Sequence, residues 1–148
     1  MKRLALAISV FLLAAAPAAE ATAAAVKLRG GTSQGFPFAA QFVDGRLDRL
    51  HFRWRARCNR DAVFRAYTTW LDGPERVIEQ DGETFSDSGT VRNRKPRQRM
   101  TIVRRERIAG TIDGTRSIKG KHVTTVRVRQ RGRLVYTCRS SVRFSATR

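Results

Sequence analysis

Gly31-Thr32-Ser33-Gln34-Gly35 match the G-x-S-x-G pattern of a nucleophile elbow. That elbow needs a strand before the serine and a helix after it. Here Phe36-Pro37-Phe38 follow, and Pro37 biases Phe36 away from the helical region. Too little chain precedes Gly31 to build the parallel sheet such an enzyme requires, so Ser33 is expected to be a turn residue. The candidate bases are His51 and His122. His51 lies among arginines expected to face solvent, and His122 shares parity with Val126 and Val128, which predicts an inward, hydrogen-bonded ring.

Glu79, Asp81, Glu83 and Asp87 form a loose carboxylate group. It lacks the glycine and terminal glutamate of a calcium loop, and the separation of a glycosidase pair cannot be read from spacing. A solvated acidic loop is the expectation, with no metal. Cys58 and Cys138 have two further readings, as catalytic thiols or as metal ligands, but no third or fourth soft ligand accompanies them. In an oxidising compartment the pair is expected as a disulfide. No cofactor signature is present.

The elements that must position these residues follow period two. Leu50, Phe52, Trp54, Ala56 and Cys58 alternate with His51, Arg53, Arg55 and Arg57, which predicts a half-buried strand with arginines outside. Because aromatics and arginines then point to opposite faces, Phe52-Arg53-Trp54-Arg55 is no stacking platform and Trp54 belongs to the core. Asp44-Gly45 is a hairpin signal, with Phe36 to Val43 as the partner strand. Strands are also expected over Ala62 to Leu71, Met100 to Ile112, Ile118 to Arg129 and Leu134 to Ala146, with a short one near Val77 to Gln80. Ser86 to Gly89 and the Arg92 to Arg99 stretch read as loop. Half-apolar strands without a helical segment predict an all-β, two-layer antiparallel β-sandwich. Tyr136 two residues before Cys138, with Trp70 between the cysteines, echoes an immunoglobulin domain, but only ten residues follow Cys138.

Lys2 and Arg3 before an apolar run from Leu4 to Ala16, then Ala21-Thr22-Ala23, read as a secretory signal peptide over residues 1–23. The run is too short to span a bilayer, and no later segment is long enough. Residues 24–148 are expected to form one exported domain, secreted or at the cell envelope, with a single core.

Gly31-Thr32-Ser33-Gln34-Gly35 with the apolar strand after it, Asp44-Gly45, Ile108-Ala109-Gly110 and the closing Cys138-Arg139-Ser140-Ser141-Val142-Arg143-Phe144-Ser145-Ala146 resemble an uncharacterised group of small secreted β-sandwich proteins of high-GC bacteria. The resemblance covers nearly all of residues 24–148. It implies the fold and export, and it brings no functional residue.

Charge is the main functional signal. The chain of 148 residues has 30 Lys and Arg against 12 Asp and Glu, a formal net charge of +18. Residues 24–88 hold ten basic and nine acidic side chains, whereas residues 89–148 hold eighteen basic and only Glu106 and Asp113 acidic. Such a field draws phosphate-rich polymers, and guanidinium groups hold phosphate bidentately. Arg92, Arg94, Lys95, Arg97, Arg99, Arg104, Arg105 and Arg107 are the candidate anion contacts. The expected function is non-catalytic: a binding or structural module contacting anionic envelope polymers or phospholipid headgroups, with sequence-specific nucleic acid not expected. The alternatives are a small secreted hydrolase and an inhibitor or partner of another exported protein.

Overall fold

The structure, a computed structural model, describes residues 25–71 and 78–148; the expected signal peptide lies outside the described residues. Nine strands follow one another: β1 (Ala25–Thr32), β2 (Pro37–Val43), β3 (Arg46–Cys58), β4 (Val63–Leu71), β5 (Glu79–Asp81), β6 (Thr84–Lys95), β7 (Met100–Asp113), β8 (Ser117–Gln130) and β9 (Arg133–Thr147). They form one antiparallel sheet in the order β4-β3-β2-β1-β9-β8-β7-β6-β5, and β3 also pairs with β9. The two expected layers are therefore the two halves of a single sheet folded onto itself. Its meandering order contains no Greek key, so the immunoglobulin topology does not occur.

Alternation builds the core. Phe38, Phe52, Trp54 and Trp70 project from the first half, and Ile108, His122, Val126, Val142 and Phe144 from the second, all buried. Phe38 stacks on Phe144 with ring centroids 4.4 Å apart, and Phe52 meets His122 edge-on at 5.1 Å. Such cross-layer ring contacts add directional attraction to the burial of apolar area. One extra residue, Asp48, interrupts the β2–β3 ladder, where Gln41 faces Arg49 and Phe42 faces Leu47. This bulge lets both Leu47 and Leu50 point inward. Asp44 and Gly45 take positive φ at the β2–β3 turn, as Arg131 and Gly132 do at β8–β9, the conformation a tight hairpin needs.

Tight folding of the sheet depends on missing side chains. Gly110 lies opposite Gly120 in the β7–β8 ladder, with Phe85 beside the first and Phe144 beside the second. The two rings lean over the glycines, their centroids 6.4 Å apart. A Cβ on Gly120 would meet the Phe144 ring and the Ala109 carbonyl oxygen, each at 2.6 Å. Gly120→Val is therefore expected to destabilise the fold by about 1–3 kcal/mol through overpacking, read as a lower urea midpoint. An unchanged midpoint would mean that both the Phe144 ring and the Ala109 backbone give way without cost.

Two segments differ from the sequence expectation. Ser86 to Gly89 and Arg92 to Lys95 are strand, not loop, because β6 runs unbroken beside β7 from Thr84↔Thr111 to Lys95↔Met100. Within the Arg92 to Arg99 stretch, Pro96–Gln98 form a 3-10 turn, closed by Arg99 in the left-handed region.

Candidate anion-binding surface

Parity within each ladder decides which cations share a face. On β7, Glu106 and Ile108 are buried, so Val103, Arg105 and Arg107 face outward. Register places Arg92 beside Val103, and Val103 beside Arg127 of β8. Arg105 lies beside Thr125, and Thr125 beside Arg139 of β9. Arg94, Lys119, Lys121, Arg129 and Arg143 belong to the same outer face by the same alternation. Among the described residues, one of the three carboxylates of these four strands, Asp113, has the outward parity, and it lies eight residues along β7 from Arg105. Asp87 and Glu106 have the inward parity, and Asp113, the last residue of β7, is held by Arg116 at 2.8 Å.

At the centre of this face Arg92, Arg105, Arg127 and Arg129 surround Val103 and Thr125 in a hollow of about 310 Å³. Arg129 is steadied by a 3.2 Å hydrogen bond from its guanidinium to the Gly132 carbonyl. Neighbouring strands are about 4.8 Å apart and alternate residues about 6.7 Å. Four arginines on that grid rim a hollow of phosphate-accommodating size, with the short apolar and hydroxyl side chains of Val103 and Thr125 among its lining.

Of the residues expected to contact anions, Arg92 and Arg105 line the hollow, and Arg94 and Arg107 stand on the same face. Lys95, Arg97 and Arg99 are exposed at the tip of the β6–β7 hairpin, away from it. Arg104 is a correction. It shares the inward parity of Glu106, its Nε lies 2.9 Å from Glu106 Oε1, and its guanidinium sits 5.8 Å above the Trp54 ring. Counting charges along the chain could not separate Arg104 from Arg105; only the register does. Arg127 and Arg129 escaped the expectation although their alternation with Val126 and Val128 was legible, because they lie far from the Arg92 to Arg107 run in sequence.

Glu106 is the centre of a buried polar cluster. It accepts the Thr68 hydroxyl at 3.0 Å, and Thr68 in turn accepts the Trp54 indole N–H at 2.6 Å. His122 Nε2 lies 3.6 Å from Glu106 Oε1 and 3.2 Å from Thr124 Oγ1. Burial alone would push the Glu106 carboxyl up. The His122 ring, the Arg104 guanidinium and the Thr68 hydroxyl together outweigh burial and hold it below the usual carboxylate range. With side-chain exposures of 1% and 0%, Glu106 and His122 do not meet solvent. They tie β4 to β7 and β8, as the inward His122 expected from parity requires.

Ser33 sits in the β1–β2 turn, where its hydroxyl accepts the Arg143 N–H at 3.1 Å and its own N–H donates to the Arg143 carbonyl at 2.8 Å. The turn joins two strands, as expected from Pro37, and the serine's hydroxyl caps a strand edge. Cys58 and Cys138 are bonded and directly opposite in the β3–β9 pairing. Among the described residues no helix is long and apolar enough to cross a membrane. No protein-family model matches the chain, and neither a curated protein nor a solved structure similar to it is found.

Proposed function

We propose that the protein is an exported, non-catalytic module of the cell envelope that holds anionic polymers or anionic lipid headgroups on the outer face of β6–β9. The observation that supports this reading best is the ring of Arg92, Arg105, Arg127 and Arg129 on a face whose neighbouring rows bring further cations and no carboxylate. Like charges held this closely repel one another, and a bound phosphate relieves that repulsion while accepting paired N–H donors. The disulfide suits an oxidising compartment.

Sedimentation with purified wall material in one arm and phosphatidylglycerol vesicles in the other, across a salt series, tests the proposal. Binding should fall steeply with salt. Arg105→Gln combined with Arg127→Gln should reduce the slope of log affinity against log salt by about two, because two counterion-releasing contacts are lost. Binding that persists unchanged to high salt, or that is lost only in Ser33→Ala, would overturn it.

A further inference from the structure

The half of the chain with almost no net charge carries a second arginine cluster. Around it the acidic residues sit at turns and irregular positions: Asp44 in the β2–β3 turn, Asp48 at the bulge and Asp61 in a 3-10 turn over Asn59–Asp61. The outer faces of β3 and of the facing part of β4 are basic. Arg55 stands directly opposite Arg65 of β4, and Arg57 directly opposite Arg139 of β9. All four are exposed, and none is ion-paired with a carboxylate among the described residues. Like charges directly opposite each other on adjacent strands are destabilising. Two such pairs side by side are a costly arrangement for the bare protein.

The cluster is also held in place. Gln34 donates its amide to the Arg55 carbonyl and accepts the Arg55 N–H, both at 2.8 Å, and the Ser140 hydroxyl donates to the same carbonyl at 2.8 Å. These side chains replace a missing strand neighbour, so Arg55 is fixed to the β1–β2 turn and to β9. The four arginines rim a hollow of about 490 Å³.

Register then connects this cluster to the first one. Arg57 faces Arg139, Arg139 faces Thr125, and Thr125 faces Arg105, a single row across β3, β9, β8 and β7. From Arg65 on β4 to Arg92 on β6 is five strand spacings, or about 24 Å. We infer that the two clusters form one continuous track that binds a single linear phosphate chain lying across the strands, over the β3–β9 pairing. A lone phosphate cannot span it, whereas successive phosphates of a chain can occupy both hollows. The aromatic rings nearby favour a chain without bases. The Tyr67 ring, though half-exposed, already has the Arg53 guanidinium over it at 4.7 Å and His51 stacked beside it, and Arg55 lies 5.7 Å above Phe36. This inference rests on the anion-binding reading above and adds the shape of the ligand.

Calorimetric titration of the protein with tripolyphosphate and with long-chain polyphosphate tests it. The long chain should bind about a hundredfold more tightly, since its second contact is made at high effective concentration. Arg57→Gln with Arg139→Gln should remove most of that advantage and leave tripolyphosphate affinity within about twofold of the parent, because the other hollow is untouched. Arg55→Gln with Arg65→Gln should do the same without altering the residues beside the disulfide, and neither variant should melt below the parent. Loss of long-chain binding in Arg105→Gln/Arg127→Gln but not in these variants would overturn the track and leave the proposed function standing. Unchanged binding in every variant would overturn both. A single-stranded oligonucleotide that bound more tightly than polyphosphate and depended on Tyr67 would overturn the choice of a base-free chain.

Discussion

Replacing both Cys58 and Cys138 with alanine is expected to cost up to about 4.5 kcal/mol of stability, the chain-entropy value for opening a loop of this length. The cysteines are 80 residues apart in sequence and join the two halves of the folded sheet. The backbone pairing around them is brief, only Arg57↔Arg139 and Cys58↔Cys138, and its first pair is electrostatically unfavourable. Without the sulfur bridge little holds the end of β3 against β9, so the loss should be larger at low salt than at high salt, where screening weakens the Arg57–Arg139 repulsion. Urea unfolding of the parent and the double variant at two ionic strengths measures both effects. Equal midpoints would show that the ladders hold the layers together unaided.

The second large effect is expected at Glu106. Glu106→Ala leaves the Arg104 guanidinium without its counter-charge and the Thr68 hydroxyl without its acceptor, deep between the layers. Removing one partner of a buried ion pair costs about 3–5 kcal/mol, and Arg104, 19% exposed, should bring the value toward the lower end by reaching for water. Glu106→Gln keeps the shape and the acceptor, so it should cost less. Acidity supplies a further test. The Glu106 carboxyl is held below its ordinary range in the folded protein, so its ionised form stabilises the fold above the unfolded value. That contribution declines as pH falls from the unfolded value through the depressed folded one. The urea midpoint should therefore drop with acidification in the parent more steeply than in Glu106→Gln. Parallel curves would remove Glu106 from the account of acid sensitivity.

Most of the fold was legible because burial enforces parity. Phe52, Trp54 and His122 lie inside, as their spacing predicted, and the Asp44-Gly45 turn connects the strands it separates. β6 was illegible for a physical reason. Beyond Val91 its inward-parity residues Asn93 and Lys95 are exposed, and a strand wet on both faces has no hydrophobic alternation. Pairing with β7 keeps it extended all the same. The basic surface was legible as composition but not as geometry. A net charge summed over residues 24–88 cancels their arginines against nine carboxylates, so Arg55 and Arg57 were read only as the outer face of a strand and Arg65 was not singled out. Arg104 and Arg105 are neighbours in sequence and belong to opposite sides of the sheet.

The strand order also constrains how the molecule is made. Except for β1–β9 and β3–β9, every pairing joins strands consecutive in the chain, so the stretches β1–β4 and β5–β9 can each assemble from short-range hairpins. Bringing the two ends of the chain together carries the larger loop-closure entropy and comes late. The thiols meet only at that seam. An oxidant should therefore act slowly on the nascent chain and quickly on the collapsed one, and the rate of thiol disappearance becomes a clock for the last step of folding.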